Sequence, residues 1–274
     1  MNRTVLITGC STGIGRALAQ AFNKKGDTVI ATARRLESLD ELKAQGCETE
    51  SLDVTNADSI DQLVKHIEAR HGHIDILINN AGIATMGPMA EIPADKLRQQ
   101  FETNVIAPTV MVQQCLPLLR QSQQAMIINI GSISGVLTTP FAGPYCASKA
   151  AIHSISEAMR LELAPFGIRV VTVQPGGIQS NFGENASADV AEWLDENSLY
   201  APIRNGIMAR ANASQDKATP AEEFARTLVQ SVEKDSSSTW NIGHGSRLYP
   251  FIARWLPQAT RTRVMSRKFS LAKL

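Results

Sequence analysis

Tyr145 and Lys149 stand four positions apart in the run Tyr145-Cys146-Ala147-Ser148-Lys149. On a helix, residues i and i+4 share a face, so the phenol and the ammonium point the same way. A neighbouring ammonium favours the phenolate and lowers a tyrosine pKa from its usual value of about 10. Tyr145 is therefore expected to act as an acid or base near neutral pH. Ser132 follows the apolar run Ala125–Ile130. A neutral hydroxyl there can donate to a carbonyl oxygen as charge builds on it. No Gly-x-Ser-x-Gly surrounds Ser132, which argues against a serine nucleophile and a hydrolase.

A second cluster suits a nucleotide. The apolar run Val5–Thr8 leads into Gly9-Cys10-Ser11-Thr12-Gly13-Ile14-Gly15, and a helical stretch follows near Ile14–Lys25. Glycines between a first strand and a helix let the backbone approach a pyrophosphate, and the helix N-terminus offers free N–H groups. The spacing is Gly-x3-Gly-x-Gly, not the generic Gly-x-Gly-x-x-Gly, and an unliganded glycine-rich turn would share the composition. In NAD enzymes an acidic residue about 20 positions further on holds the ribose 2′-hydroxyl. Here the second apolar run, Thr28–Ala33, ends in Arg34-Arg35 with no carboxylate. Two guanidiniums suit a 2′-phosphate, so NADP(H) is expected over NAD(H), the alternative being two solvated side chains. Asp53, with Val54 beside it, ends a third run, Glu50–Val54, where its carboxylate could accept from an adenine amino group. Asn56 is the better candidate to cap the next helix.

These residues need a scaffold, and the hydropathy pattern supplies one. Short β-branched runs at Val5–Thr8, Thr28–Ala33, Glu50–Val54, Ile74–Asn79, Ala125–Ile130 and Arg169–Val173 alternate with helical stretches. Among these, Leu36–Gln45, Ala57–Arg70, Asp95–Gln114, Ala150–Ala164 and Ala221–Val232 read as helices. That alternation predicts an α/β, Rossmann-type doubly wound parallel sheet with helices on both faces. Gly9, Asn79, Ser132 and Pro175 fall at strand ends, where such sheets place ligands. A single domain over 1–274 is expected, with a core at 1–180, a substrate lid at 181–217 and a basic extension at 236–274.

Composition supports a packed globular protein, with 43% hydrophobic and 19% charged residues in 274. The net charge of +1 argues against a nucleic-acid binder. It hides a division, because the last acidic residue is Asp235 and seven basic residues follow it. Residues 1–235 carry 20 basic against 26 acidic side chains, a balance of −6 against +7. The four cysteines show no C-x-x-C pairing and read as reduced thiols. His66, His71 and His73 bracket Gly72 at a helix end and have no zinc spacing, so no metal is expected. His153, two turns beyond Tyr145, reads as structural. No signal-peptide layout or membrane-spanning run is present, so the chain reads as cytoplasmic.

Together, Thr8-Gly9-x3-Gly13-x-Gly15, Asn79-Asn80-Ala81-Gly82, Asn104, Ser132, Tyr145-x3-Lys149 and Pro175-Gly176 resemble the classical short-chain dehydrogenase/reductase family, in order, over about 1–180. The resemblance implies hydride transfer to or from a carbonyl carbon, with Tyr145 as general acid in reduction. Lys149 would bind the nicotinamide ribose and lower the tyrosine pKa, and Ser132 would orient the substrate oxygen. Gly9, Ser11, Thr12, Gly13, Ile14 and Gly15 would cradle the diphosphate. Asn80, Ala81 and Gly82 would line the cofactor site, with Pro175, Gly176, Ile178 and Ser180 at the nicotinamide end. Many members carry Thr where Ser180 stands; Ser keeps the hydroxyl. Pro108 has no N–H for the carbonyl of Asn104, and the family's proton relay would use that carbonyl, the alternative being a kink that aids packing.

The runs Arg34-Arg35-Leu36-Glu37, Ser148–His153 and Ser266–Leu271 look like the branch of acyl-dihydroxyacetone-phosphate reductases, near hydroxysteroid and retinol dehydrogenases. That implies a lipophilic ketone or aldehyde substrate. An NADP⁺-dependent dehydrogenase of a steroid-like or retinoid alcohol and a non-catalytic NADP(H) sensor are the alternatives. Family members pair helices across dimers, so a homodimer or homotetramer is expected. The aromatic and basic run Tyr249–Pro257 would suit a membrane interface, against packing on the body.

Overall fold

The computed structural model describes residues 2–274. The chain opens β1 Thr4–Ile7, α1 Gly13–Lys24, β2 Thr28–Ala33, α2 Asp40–Ala44, β3 Glu48–Ser51, α3 Ala57–His71 and β4 Ile76–Asn79. It continues with α4 Ala94–Phe101, α5 Ala107–Leu119, β5 Met126–Ile130, α6 Gly143–Leu163 and β6 Arg169–Pro175. It ends α7 Phe182–Trp193, α8 Arg204–Asn212, α9 Ala221–Lys234, β7 Thr239–Ile242, α10 Leu248–Trp255 and α11 Gln258–Lys268. The seven strands form one sheet in the order β3-β2-β1-β4-β5-β6-β7, and every pairing is parallel.

Strand periodicity explains how both faces are filled. Val5 and Ile7 of β1 join Leu18, Phe22, Phe224 and Leu228 from α1 and α9 on one face. Leu6, between them, joins Ile60, Ile67, Met111 and Cys115 from α3 and α5 on the other. A third cluster, including Tyr145, Val190, Ile207 and Phe269, lies where the lid and the end of the chain meet α6. The strand order reverses between β1 and β4, which opens a crevice at the strands' carboxyl ends.

Several elements differ from the sequence expectations. The third strand lies at Glu48–Ser51 rather than 50–54, because Leu52 leaves the strand to pack with Ile60 and Leu63. Leu36–Gln45 is a 3₁₀ turn followed by the short α2. The single helix expected over 95–114 is broken by a π-helical turn at Glu102–Ile106. Pro108 causes the break: it cannot donate to the Asn104 carbonyl and its ring would crowd it. The basic extension packs on the body, the alternative to a membrane contact. Its Thr239–Ile242 is an edge strand beside β6, and Phe269, 3% exposed, packs with the lid.

Candidate active site

The glycine turn is built by backbone contact with the end of β4. The Thr8 hydroxyl accepts the N–H groups of Asn80 and Ala81, each at 3.0 Å. The Asn80 amide donates to the Thr8 and Gly9 carbonyls at 2.9 and 3.0 Å. Gly9 has φ +73°, and a Cβ there would stand 2.8 Å from the Ala81 Cα. A Cβ on Gly15 would stand 2.2 Å from the Gly9 oxygen. Helix α1 begins with no side-chain cap and no acidic residue in its first turn, so its leading N–H groups remain available to an anion. This cradle fits the diphosphate of a dinucleotide.

The cleft has a volume of about 1070 Å³. Gly9, Ser11, Thr12, Gly13, Ile14 and Gly15 line it, as do Arg34, Asp53, Val54, Asn80, Ala81 and Gly82. Ser132, Tyr145, Lys149, Pro175, Gly176, Ile178 and Ser180 line it too. Arg35 does not; it is exposed outside the lining. Asn104 is also outside the lining. It is buried, with its amide donating to the Ile83 carbonyl and Ser148 hydroxyl and its Oδ1 accepting from the Ile83 N–H at 2.9 Å. Its side chain thus ties the Asn80–Ile83 loop to α6. Asp53 makes a local turn, accepting from the Thr55 N–H and hydroxyl at 3.0 and 2.7 Å. Those bonds, with help from the Arg34 charge, hold its carboxyl below the usual range. The helix cap is Asn56.

Tyr145 and Lys149 are buried. Lys149 donates from Nζ to the Ile130 carbonyl at 2.7 Å and lies 5.8 Å from the centre of the Tyr145 ring. Burial lowers the Lys149 pKa to about 8. Tyr145 moves the opposite way from the sequence expectation. Its pKa is pushed up to about 12 because burial outweighs the Ser132 hydroxyl and the Arg210 charge, which pull it down. Tyr145 is therefore a protonated phenol at neutral pH. Desolvation, not helical spacing, decides the sign.

Spacing alone missed three supports. His153 Nε2 accepts the Ser132 N–H at 3.3 Å. Its ring fills the space beside Gly131 and Gly135, where a Cβ would come within 2.3 and 2.6 Å of the imidazole. Burial, assisted by the Lys149 charge, lowers its pKa to about 4, so the ring is neutral. Ser148 accepts from Asn104 and Gln100 and donates to the Tyr145 carbonyl at 2.9 Å, fixing the turn of α6 that carries the phenol. The third is Arg210 on α8, buried in the lid beside Thr139, with its Nε donating to Oγ1 at 2.5 Å. The hydroxyl of Ser148 could have been picked out from its place in the Tyr-x3-Lys run; the other two carry no local signal.

A buried phenol beside a lysine at the switch point of a doubly wound sheet, next to a dinucleotide cradle, fits an oxidoreductase that works with a bound nucleotide. Residues 3–191 match the short chain dehydrogenase family, and the chain belongs to it. Short-chain dehydrogenase srdE of Neurospora crassa is 35% identical over 272 residues, covering 98% of this chain and 92% of its own. A 3-ketodihydrosphingosine reductase of Bacteroides thetaiotaomicron is 36% identical over 198 residues, 72% of this chain and 71% of its own. The crystal structure of a short-chain dehydrogenase from Streptomyces avermitilis superposes with a TM-score of 0.81 at 30% identity, covering 100% of this chain and 97% of that one. The family's cofactors are nicotinamide nucleotides, which fits the glycine cradle.

Proposed function

We propose that the protein is an NADPH-dependent reductase of a ketone or aldehyde on a lipophilic substrate. The observation that carries this reading is geometric: Tyr145, Lys149 and Ser132 line one cleft with the glycine cradle and Arg34. A phenol with a pKa near 12 holds its proton at neutral pH and can give it to an oxygen on which negative charge develops. A bound nicotinamide cofactor supplies the hydride. Ser132 orients the carbonyl oxygen by donating its hydroxyl hydrogen, and its backbone is held by His153. Lys149 places a charge beside the phenol as negative charge forms. Arg34, at the cleft edge just after β2, supports NADPH over NADH by pairing with the 2′-phosphate. Arg35 has no part in this reading.

The lipophilic substrate is supported by the cleft's apolar wall, to which Met86, Leu137, Phe182 and Phe269 contribute. The 3-ketodihydrosphingosine reductase among the relatives agrees with such a substrate. A homodimer or homotetramer is proposed through α5 and α6, near which Leu161 and Phe166 are exposed. Peripheral membrane contact is proposed through α10, where Phe251 and Trp255, 61% and 67% exposed, lie beside Arg254. Among the described residues no helix is long and apolar enough to cross a membrane. The reaction is tested by following NADPH oxidation across long-chain aldehydes, retinal, steroids, acyl-dihydroxyacetone phosphate and small diketones. Turnover of the lipophilic carbonyls supports the proposal; turnover confined to alcohols with NADP⁺ favours the dehydrogenase reading.

A further inference from the structure

The lid holds a charge that proton donation and hydride transfer do not require. Arg210 is 7% exposed and lines the same cleft as Met86, Leu137, Phe182, Met265 and Phe269. Thr139 is the one oxygen partner of its guanidinium among the described residues, and it occupies only Nε. The thiol of Cys146 and the ring of Tyr145 are its other polar neighbours, with no carboxylate among the groups that act on it. None of the Arg210 nitrogens is both fully buried and unpartnered, so the terminal pair faces the cleft, where an anion would supply the counter-charge the site lacks. Tyr145 does not serve in the resting enzyme, because it is protonated. The other cation of the inner site, Lys149, is already bonded to Ile130. The Thr139 bond fixes the guanidinium by one nitrogen and leaves its terminal pair, the fork that binds carboxylate or phosphate oxygens in a bidentate manner.

We propose that Arg210 recognises an anionic group, a carboxylate or a phosphate, carried by an otherwise apolar carbonyl substrate. This rests on the reductase reading of the same cleft and narrows its substrate class to amphiphilic anions. The apolar wall takes the chain, Tyr145 and Ser132 take the carbonyl, and Arg210 takes the charged end. Discrimination follows from leaving the guanidinium unmatched when a neutral analogue binds.

The test is kcat/KM with NADPH for straight-chain oxo acids, the carbonyl at successive distances from the carboxylate, each paired with its methyl ester. Dihydroxyacetone phosphate against dihydroxyacetone is the phosphate arm. At the best spacing the wild type is expected to prefer the anion by at least about tenfold. Arg210→Gln should bring that ratio to about one, and Arg210→Lys should keep part of it. A wild-type ratio of one or less in both arms overturns the inference, as does a ratio that Arg210→Gln leaves unchanged. Equal losses for acid and ester, with a displaced alkaline pH limb, would instead assign Arg210 to tuning Tyr145 and also overturn it. Should Arg210→Gln fail to fold, the wild-type ratio and Arg210→Lys decide. If the wild type reduces no carbonyl, the reductase reading has failed, and calorimetric titration with octanoate and phenyl phosphate decides for Arg210. Saturable binding lost in Arg210→Gln or Arg210→Lys upholds the anion site; no binding overturns it.

Discussion

Protonating His153 should unlatch Ser132, and the cost follows from the site. The imidazole is largely buried, and its Nε2 accepts the Ser132 N–H. Only the neutral ring can accept. Its pKa falls from 6.5 to about 4 on folding. Because the folded value is depressed, this stabilisation is fully present above pH 6.5 and is lost as pH falls through 4. The whole shift corresponds to about 3 kcal/mol, and about 2 kcal/mol should already be gone at pH 5. The assay is urea unfolding at pH 7.5 and pH 5 for the wild type and His153→Gln. Other groups titrate in both proteins, so the informative quantity is the difference between the two pH-dependent losses. The wild type should lose about 2 kcal/mol more than His153→Gln. Equal losses would refute the neutral, buried acceptor and with it the anchoring of Ser132.

Three further outcomes follow from the cleft. Arg34→Ala should weaken NADPH binding at least about tenfold more than NADH binding, measured by fluorescence titration; equal losses would contradict a 2′-phosphate contact. Lys149, with its pKa at about 8, should set an alkaline limb on ketone reduction, because its charge is lost as pH rises through that value. Lys149→Arg, charged throughout, should move the limb upward, and an unmoved limb would assign it to another group. Pro108→Ala restores an N–H four residues after Asn104. If that carbonyl serves proton delivery, kcat should fall several-fold with a changed pH–rate profile, and an unchanged profile would remove Asn104 from the path.

The parts of the molecule legible in sequence are those whose physics is local. β-Branched runs buried on both faces announced the parallel sheet, and glycines whose Cβ atoms would collide announced the cradle. The Tyr145–Lys149 spacing announced a shared helix face. What escaped depends on distant packing. Burial raises the Tyr145 pKa, although the neighbouring lysine argued for the reverse. The strand Thr239–Ile242 is four residues in a serine-rich stretch, and its partner β6 lies some sixty residues earlier. Arg210 carries no local signal, and only the folded lid buries it beside Thr139. Gly206 gave no hint that it clears space for Phe269, whose carbonyl would stand 2.4 Å from an added Cβ. The sequence charge count set the extension apart, whereas its apolar residues return it to the cleft.

The central claim is that Tyr145, protonated and buried, is the proton donor of a carbonyl reductase. Tyr145→Phe removes one oxygen and preserves the ring that packs 5.2 Å from Phe182. The decisive measurement is single-turnover NADPH oxidation by this variant on the best carbonyl substrate, beside NADPH binding to the same protein. The account predicts a rate lower by at least about a thousandfold with binding within about threefold of wild type. A variant that reduces the carbonyl at the wild-type rate would contradict it.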